Sequence, residues 1–265
     1  MKIVMRVVAG LVAVTALVPV AACSDDKKDT GATGSTASAA APTTKSVSPT
    51  EQLTAAAQKT ASGPYTFKVT SNEINLQGGT DPAGPRAMAN ADVAAEGVKV
   101  KIETVYNAGT LLVRVTGLPL PGFDGKKWLK VDQSKLKGDG AISPDDVKDP
   151  TGLAKLPALI GQVTSTDGKA FKGTLDLTKG DWALADDAAV KGLGDQAKAV
   201  PFDATVDDKG NLASITVHVP AFKDTKADEI GVVYDGFGAP VVIPTPAASE
   251  VMDAPATAYS LLNGA

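Results

Sequence analysis

The sequence predicts an α+β fold, a strongly curved antiparallel sheet with helices covering one face. Three observations predict it. Apolar and polar residues alternate with period two in several segments between Tyr65 and Tyr234, as in strands with one buried and one wet face. Pairs of these segments are joined by turn sequences, Asn107-Ala108-Gly109 and Asp207-Asp208-Lys209-Gly210-Asn211, which makes hairpins. Helix signals are few beside the alternating strands, which reads as α+β with helices covering one face of the sheet. No internal repeat is present.

The folded part opens with a helix. Ser48 suits the N-cap, Pro49 the first helical position and Glu51 the acid of a capping box. Leu53, Ala56 and Ala57 give it an apolar stripe, and Gly63-Pro64 ends it. Tyr65, Phe67 and Val69 then alternate with Thr66, Lys68 and Thr70 as a strand. The stretch 77–90 is rich in Gly, Pro and Ala and reads as a mobile loop. Val98, Val100 and Ile102 form a strand that turns at Asn107-Ala108-Gly109 into Leu111, Val113 and Val115. Lys127 to Asp132 is a further strand, with Trp128 out of phase with Leu129 and Val131.

The middle is less regular. Ser143-Pro144-Asp145-Asp146 reads as the start of a short helix. Leu153, Leu156, Leu159 and Ile160 follow at helical spacing around Pro157, which must break or begin a turn. Phe171, Gly173, Leu175 and Leu177 alternate as a strand, and 185–193 is a weak helix. Phe202, Ala204 and Val206 alternate, the chain turns at 207–211, and Ala213, Ile215, Val217 and Val219 return on one face. A last strand covers Gly231 to Tyr234, and Asp253-Ala254-Pro255 caps a closing helix through Leu262.

Ahead of this lies a different kind of sequence. Lys2 and Arg6 precede an uncharged run from Val7 to Val20, followed by Ala21-Ala22-Cys23. The run has the length of a secretory signal and is too short for a comfortable membrane span. Val20-Ala21-Ala22-Cys23 resembles the bacterial lipobox, in which the cysteine thiol receives a diacylglycerol and becomes the first mature residue. Each buried methylene contributes about 0.8 kcal/mol, and two chains hold where one is marginal. Residues 1–22 are thus expected to be a signal peptide, and 23–50 a lipidated tether of Gly, Ala, Thr and Ser. A coil of that length reaches roughly 30 Å. Residues 51–265 form one domain. With the sole cysteine in the anchor, neither a disulfide nor a thiolate metal site is expected in it.

Composition narrows the function. A net charge of −4 without a basic patch makes nucleic acid an unexpected partner. His218, the single histidine, alternates with Thr216 toward the wet side and reads as an exposed strand residue. A triad or a zinc site needs partners that the sequence does not supply. The turn at 207–211 misses the calcium-loop register. Asp145, Asp146 and Asp149 read as helix-start acids, and Asp186-Asp187 lacks a third fixed ligand. Trp128 reads as packing at a sheet edge or against a covering loop, or as an aromatic rim to a ligand mouth. No cofactor, no metal and no enzymatic activity are expected.

The inward apolar sets fit either a closed core or a cavity between sheet and helices, since both require aliphatic side chains. The cavity candidates are Phe67, Val69, Val98, Val100, Ile102, Val113, Val115, Leu129, Val131, Leu175, Leu177, Phe202, Ile215 and Val217.

The lipobox at Cys23, the tether, the first helix, Tyr65-Thr66-Phe67, 127–132, 173–177, 200–207, 210–212, 234–241 and 253–255 together resemble the LppX/LprAFG family of actinobacterial lipoproteins. The resemblance implies a half-barrel sheet whose concave face is covered by helices, similar to the LolA/LolB lipoprotein carriers. It also implies an internal apolar cavity that binds acyl chains of envelope lipids or glycolipids and carries them outward. The protein would be lipid-anchored on the outer face of the cell membrane, with a membrane exporter as a further partner. It implies no catalytic residues. The competing expectation is an envelope sensor or protein-interaction module on the same half-barrel.

Overall fold

The computed structural model describes residues 47–263 apart from 73, 96–97, 118–124, 138–142, 144, 186 and 224. Cys23, the segment 1–22 and most of the tether at 23–50 lie outside the described residues, as do Pro144 and Asp186.

The first helix, α1 (Pro49–Ala61), begins where its cap predicts. The Ser48 hydroxyl accepts the Glu51 N–H at 3.3 Å and Glu51 accepts the Ser48 N–H at 2.8 Å, so two orphan donors are satisfied reciprocally. It thus starts two residues inside the stretch assigned to the tether. The other helices are short: α2 (Leu156–Leu159), α3 (Asp187–Leu193) and α4 (Ala256–Leu262).

The rest is α+β architecture around one large, mostly antiparallel sheet of twelve strands that does not close into a barrel. β1 (Tyr65–Thr70), β2 (Ile74–Asp81), β3 (Arg86–Ala95), β4 (Val98–Asn107), β5 (Thr110–Thr116) and β6 (Trp128–Val131) form one up-and-down run. β7 (Ile160–Ser165), β8 (Ala170–Leu175), β9 (Val200–Val206), β10 (Leu212–Val219) and β11 (Asp228–Asp235) form a second. β11 pairs antiparallel with β1 and joins the two runs, from Thr66 opposite Asp235 to Thr70 opposite Gly231. β12 (Val251–Asp253) adds parallel to β6.

One face carries the main core, into which α1 sends Leu53, Ala56 and Ala57 while packing against β7, β10 and α2. The Thr60 hydroxyl accepts the Leu212 N–H at 2.9 Å and ties α1 to the start of β10.

The opposite face is crossed by the segment after β11. Register places Gly79, Met88, Val105 and Leu112 side by side across β2–β5. Val241 seats over Gly79, and Ile243 packs with Met88, Val105, Leu112, Trp128 and Val251 in a second, smaller cluster. Trp128 is therefore covered on the wet face of its own strand, with the Arg114 guanidinium 4.5 Å from its ring centre. That corrects the aromatic-rim alternative: the indole is wedged under the crossing segment.

Five further expectations change. The stretch 77–90, read as a mobile loop, contains the facing strands β2 and β3. Ile160, placed at helical spacing, opens β7 immediately after the short α2. Leu177 lies beyond the end of β8, at the start of a 3-10 turn (Leu177–Lys179). The register slips between Leu212 and Ser214, so Leu212 takes the buried slot expected of Ala213. The short helix expected from Ser143 is a hydrogen-bonded turn, in which the Ser143 hydroxyl accepts the Asp146 N–H at 3.1 Å.

Candidate functional site

The strand registers align the apolar face into continuous rows. One runs Phe171, Ala204, Ile215, Val232, Val69, Leu76, Ala91, Ile102, Val115, crossing nine adjacent strands from β8 to β5. Every member is buried. A second row runs Tyr234, Phe67, Gly78, Ala89, Thr104, Val113, Leu129 from β11 to β6. Alternation along each strand and antiparallel pairing between strands produce such rows without further design.

The structure brings the predicted lining residues together. Phe67, Val69, Val100, Ile102, Val113, Val115, Val131, Leu175, Leu177, Phe202, Ile215 and Val217 belong to one buried cluster. Leu129 is also buried, level with Val113 in the register. Val98 opens β4, but its side chain lies outside the described residues. The residues are not equally enclosed. Val69, Val113, Leu175 and Val217 expose 0 % of their surface, whereas Val100 keeps 9 % and Ile102 7 %.

Sequence reasoning missed Leu76, Ala87, Ala89, Ala91 and Val93, all buried in the same cluster. The signal was period-two spacing at 87, 89, 91 and 93, hidden because alanine is a weak strand former.

The apolar face also holds a buried polar group. Tyr65 and Tyr234 meet edge to face, ring centres 5.7 Å apart. Both phenols face Thr151 and Asp149, and burial raises them above their ordinary range, so they remain protonated donors. Asp149 accepts the Leu153 and Ala154 N–H groups at 3.0 and 2.9 Å. Burial nevertheless raises its carboxyl above the usual carboxylate value. The Thr151 hydroxyl lies fully enclosed between the two phenols, while the Trp182 indole N–H and Asp146 Oδ2 are buried without a hydrogen-bond partner.

On the wet face, Lys172, Asp203, His218 and Glu229 form a charge ladder over β8–β11. Lys172 Nζ lies 3.0 Å from Asp203 Oδ1, His218 Nε2 2.7 Å from Asp203 Oδ2, and His218 Nδ1 3.1 Å from Glu229 Oε1. Asp203 holds the imidazole pKa above its ordinary value, with Glu229 adding to this, and His218 in turn lowers Asp203. In its protonated form the imidazole donates to a carboxylate on each side. His218 is thus a cross-strand ion-pair residue rather than a plain exposed one. Among the described residues no group of three or more His, Cys, Asp or Glu is arranged to hold a metal ion, and no helix is long and apolar enough to cross a membrane.

No protein-family model matches the chain, and no curated protein matches it at a significant level.

Proposed function

We propose that the protein is a lipid-anchored, non-enzymatic carrier that binds acyl chains of envelope lipids or glycolipids against the apolar face of its sheet and carries them outward. The observation that supports this reading is the buried apolar row crossing nine strands. It offers a long alkyl chain an uninterrupted apolar track. In this reading the sheet is curved as a half-barrel and its helices lie over the concave face.

The mechanism follows from how the two layers are held. The sheet is fixed by ladder hydrogen bonds. The helices beside it are short, apart from α1, and meet the sheet mainly through apolar contact. Apolar contact is non-directional and scales with area. An acyl chain can therefore replace cover-to-sheet contact with chain-to-sheet contact at nearly constant buried area. Uptake and release then need no chemical step. Because Val69, Val113, Leu175 and Val217 are fully enclosed, the chain enters by parting the cover from the sheet, starting near the less enclosed Val100 and Ile102. Cys23 supplies the anchor on the outer face of the cell membrane, and a membrane exporter is the partner that would receive or deliver the lipid.

The enclosed core is also the observation that favours a second reading, an envelope sensor or interaction module on the same scaffold. Native mass spectrometry of the purified protein, with lipid extraction, separates the two. The carrier reading expects a co-purifying acyl lipid that is released on unfolding. A lipid-free protein isolated with a stable protein partner would overturn it in favour of the sensor.

A further inference from the structure

The tip of the β10–β11 hairpin rests on the cover of the sheet. The ladder between the two strands ends at Val219 opposite Asp228. Beyond it the Phe222 N–H donates to the Thr225 carbonyl at 3.1 Å and the Thr225 N–H donates back at 2.8 Å, which closes a turn directly after the ring. Lys223 takes φ +49° there, a left-handed conformation that a side chain of its size adopts only under constraint from its surroundings. The ring itself lies on Gly192 of α3. A β-carbon on that glycine would lie 2.6 Å from Phe222 Cδ2 and Cε2. The hairpin thus touches the helix at a spot that only glycine leaves open.

α3 is the cover element best placed to yield. α1 is tied to β10 through Thr60, and α4 to the chain beyond β6 through Tyr259 and Asn263. α3 is seven residues long, and among the named elements it packs mainly against the 3-10 turn that follows it (Gly194–Ala199). The joint between them is Gly194, at φ +57°, with nothing within 4 Å of where its β-carbon would stand. Ala189 and Leu193 turn inward. At about 100° per residue, Gly192 and Val190 lie on opposite flanks of that inward face. Phe222 holds the Gly192 flank. On the Val190 flank lies a cavity of about 280 Å³, bordered also by Leu177, Trp182, Ala185 and Lys191. It gives α3 room to shift away from Phe222 without compressing packed side chains. Leu193 belongs to the main core, so this shift uncovers part of it.

We propose, resting on the carrier reading above, that α3 is the lid that yields to seat the acyl chain and that Phe222 is its latch. α3 belongs to the connection between β8 and β9, the strands at the far end of the apolar row from Ile102 and Val115. A chain that enters beside Val100 and Ile102 and follows the row arrives at that end, where α3 gives way. With the latch closed, affinity is reduced by the fraction of molecules whose lid is open. Loosening the latch therefore tightens lipid binding, the reverse of what a merely structural contact predicts.

The test uses the purified full chain with Cys23→Ser as common background, so that no anchor lipid competes. Amide hydrogen exchange is compared between 187–193 and β10, and cis-parinaric acid is titrated as the probe. Phe222→Ala and Gly192→Ala should each speed exchange in α3 about tenfold, the worth of the apolar contact of part of a ring, and leave β10 unchanged. Their apparent affinity for the probe should rise by the same factor. Phe222→Leu, which keeps an apolar side chain on Gly192, should give smaller changes of the same sign and stands in if either of the others fails to fold. Exchange that speeds up equally in α3 and β10 would overturn the lid and leave the carrier reading standing. So would faster exchange in α3 with unchanged or weaker probe binding. A wild type that takes up no probe would overturn the carrier reading itself, and the lid with it.

Discussion

The Phe67 ring occupies the space that a β-carbon on Gly78 would fill. The two residues are directly opposed on β1 and β2, and such a carbon would lie 2.7 Å from Phe67 Cζ and 2.1 Å from the Met88 carbonyl oxygen. The same arrangement recurs in the second half of the sheet, where Phe202 faces Gly173 and its ring atoms come within 2.9 Å of that position. Each aromatic ring covers a glycine that would otherwise leave its strand thinly packed. Gly78→Ala and Gly173→Ala should therefore each cost about 1–3 kcal/mol or more, because a backbone oxygen as well as a ring must move. Gly63→Ala, with nothing within 4 Å of the added carbon, should stay within about 0.5 kcal/mol of wild type. Urea unfolding measures all three. A Gly78→Ala protein as stable as Gly63→Ala would show that the ring and strand can yield freely.

That pairing explains why part of the sheet was illegible in the sequence. Strands with branched side chains on one face declared themselves, as at Val100 and Ile102 or at Ile215 and Val217. β2 and β3 did not, because their inward positions are Leu76, Gly78, Ala87, Ala89 and Ala91. Gly78 and the three alanines have low strand propensity on their own and are specified by what lies over them, which only the tertiary structure supplies. β7 was hidden for another reason. Leu156, Leu159 and Ile160 are spaced as in a helix, and the chain changes from helix to strand within that run. The candidate positions other than Val98 are buried, and their burial was readable because alternation is local. The hydrogen-bonded group around Thr151 was not readable, since nothing near that residue in sequence announces Tyr65 or Tyr234.

His218 gives a pH dependence with a definite sign. Its folded-state pKa is raised, first by Asp203, above the unfolded value of about 6.5. The stabilisation is therefore fully present below about pH 6.5 and is lost as pH rises through the folded-state value. Asp203 behaves oppositely: its lowered pKa adds stability above about pH 3.9, lost as pH falls through the folded-state value. The His218 side chain is 36 % exposed and Glu229 74 %, so water screens the ladder and the effect stays under about 1 kcal/mol. Denaturant unfolding of wild type and His218→Gln should differ most near pH 5 and converge as pH rises through the folded-state value. A difference that grows toward alkaline pH would reverse the assignment.

Cys23→Ala tests the anchor separately from the fold. If the thiol carries a diacylglyceryl group, the variant should remain as uncleaved precursor or leave the membrane fraction, while wild type partitions into detergent. The folded domain should be unaffected, since Cys23 lies far ahead of α1 in sequence. Partitioning in Triton X-114 and intact mass decide the matter. Identical partitioning, with no acyl mass on wild-type Cys23, would exclude lipidation there.

The sharpest contrast within the apolar face is between Val217 and Val100. Both point into the main cluster, but Val217 exposes none of its surface and Val100 keeps 9 %. Adding the volume of an indole to a closed site forces neighbouring side chains off their rotamers or shifts the backbone. Val217→Trp should thus cost about 3 kcal/mol or more. Val100→Trp should cost about 1 kcal/mol, because its ring can extend toward the less enclosed side. If acyl chains enter there, Val100→Trp should also abolish uptake of a fluorescent fatty-chain probe while its melting temperature stays near wild type. The two readouts have to be taken on the same preparations, since a destabilised protein loses binding for trivial reasons. Equal and severe destabilisation at both positions, in a protein whose wild type takes up no probe, would mean a core with no entry side, and the interaction-module reading would then replace the carrier.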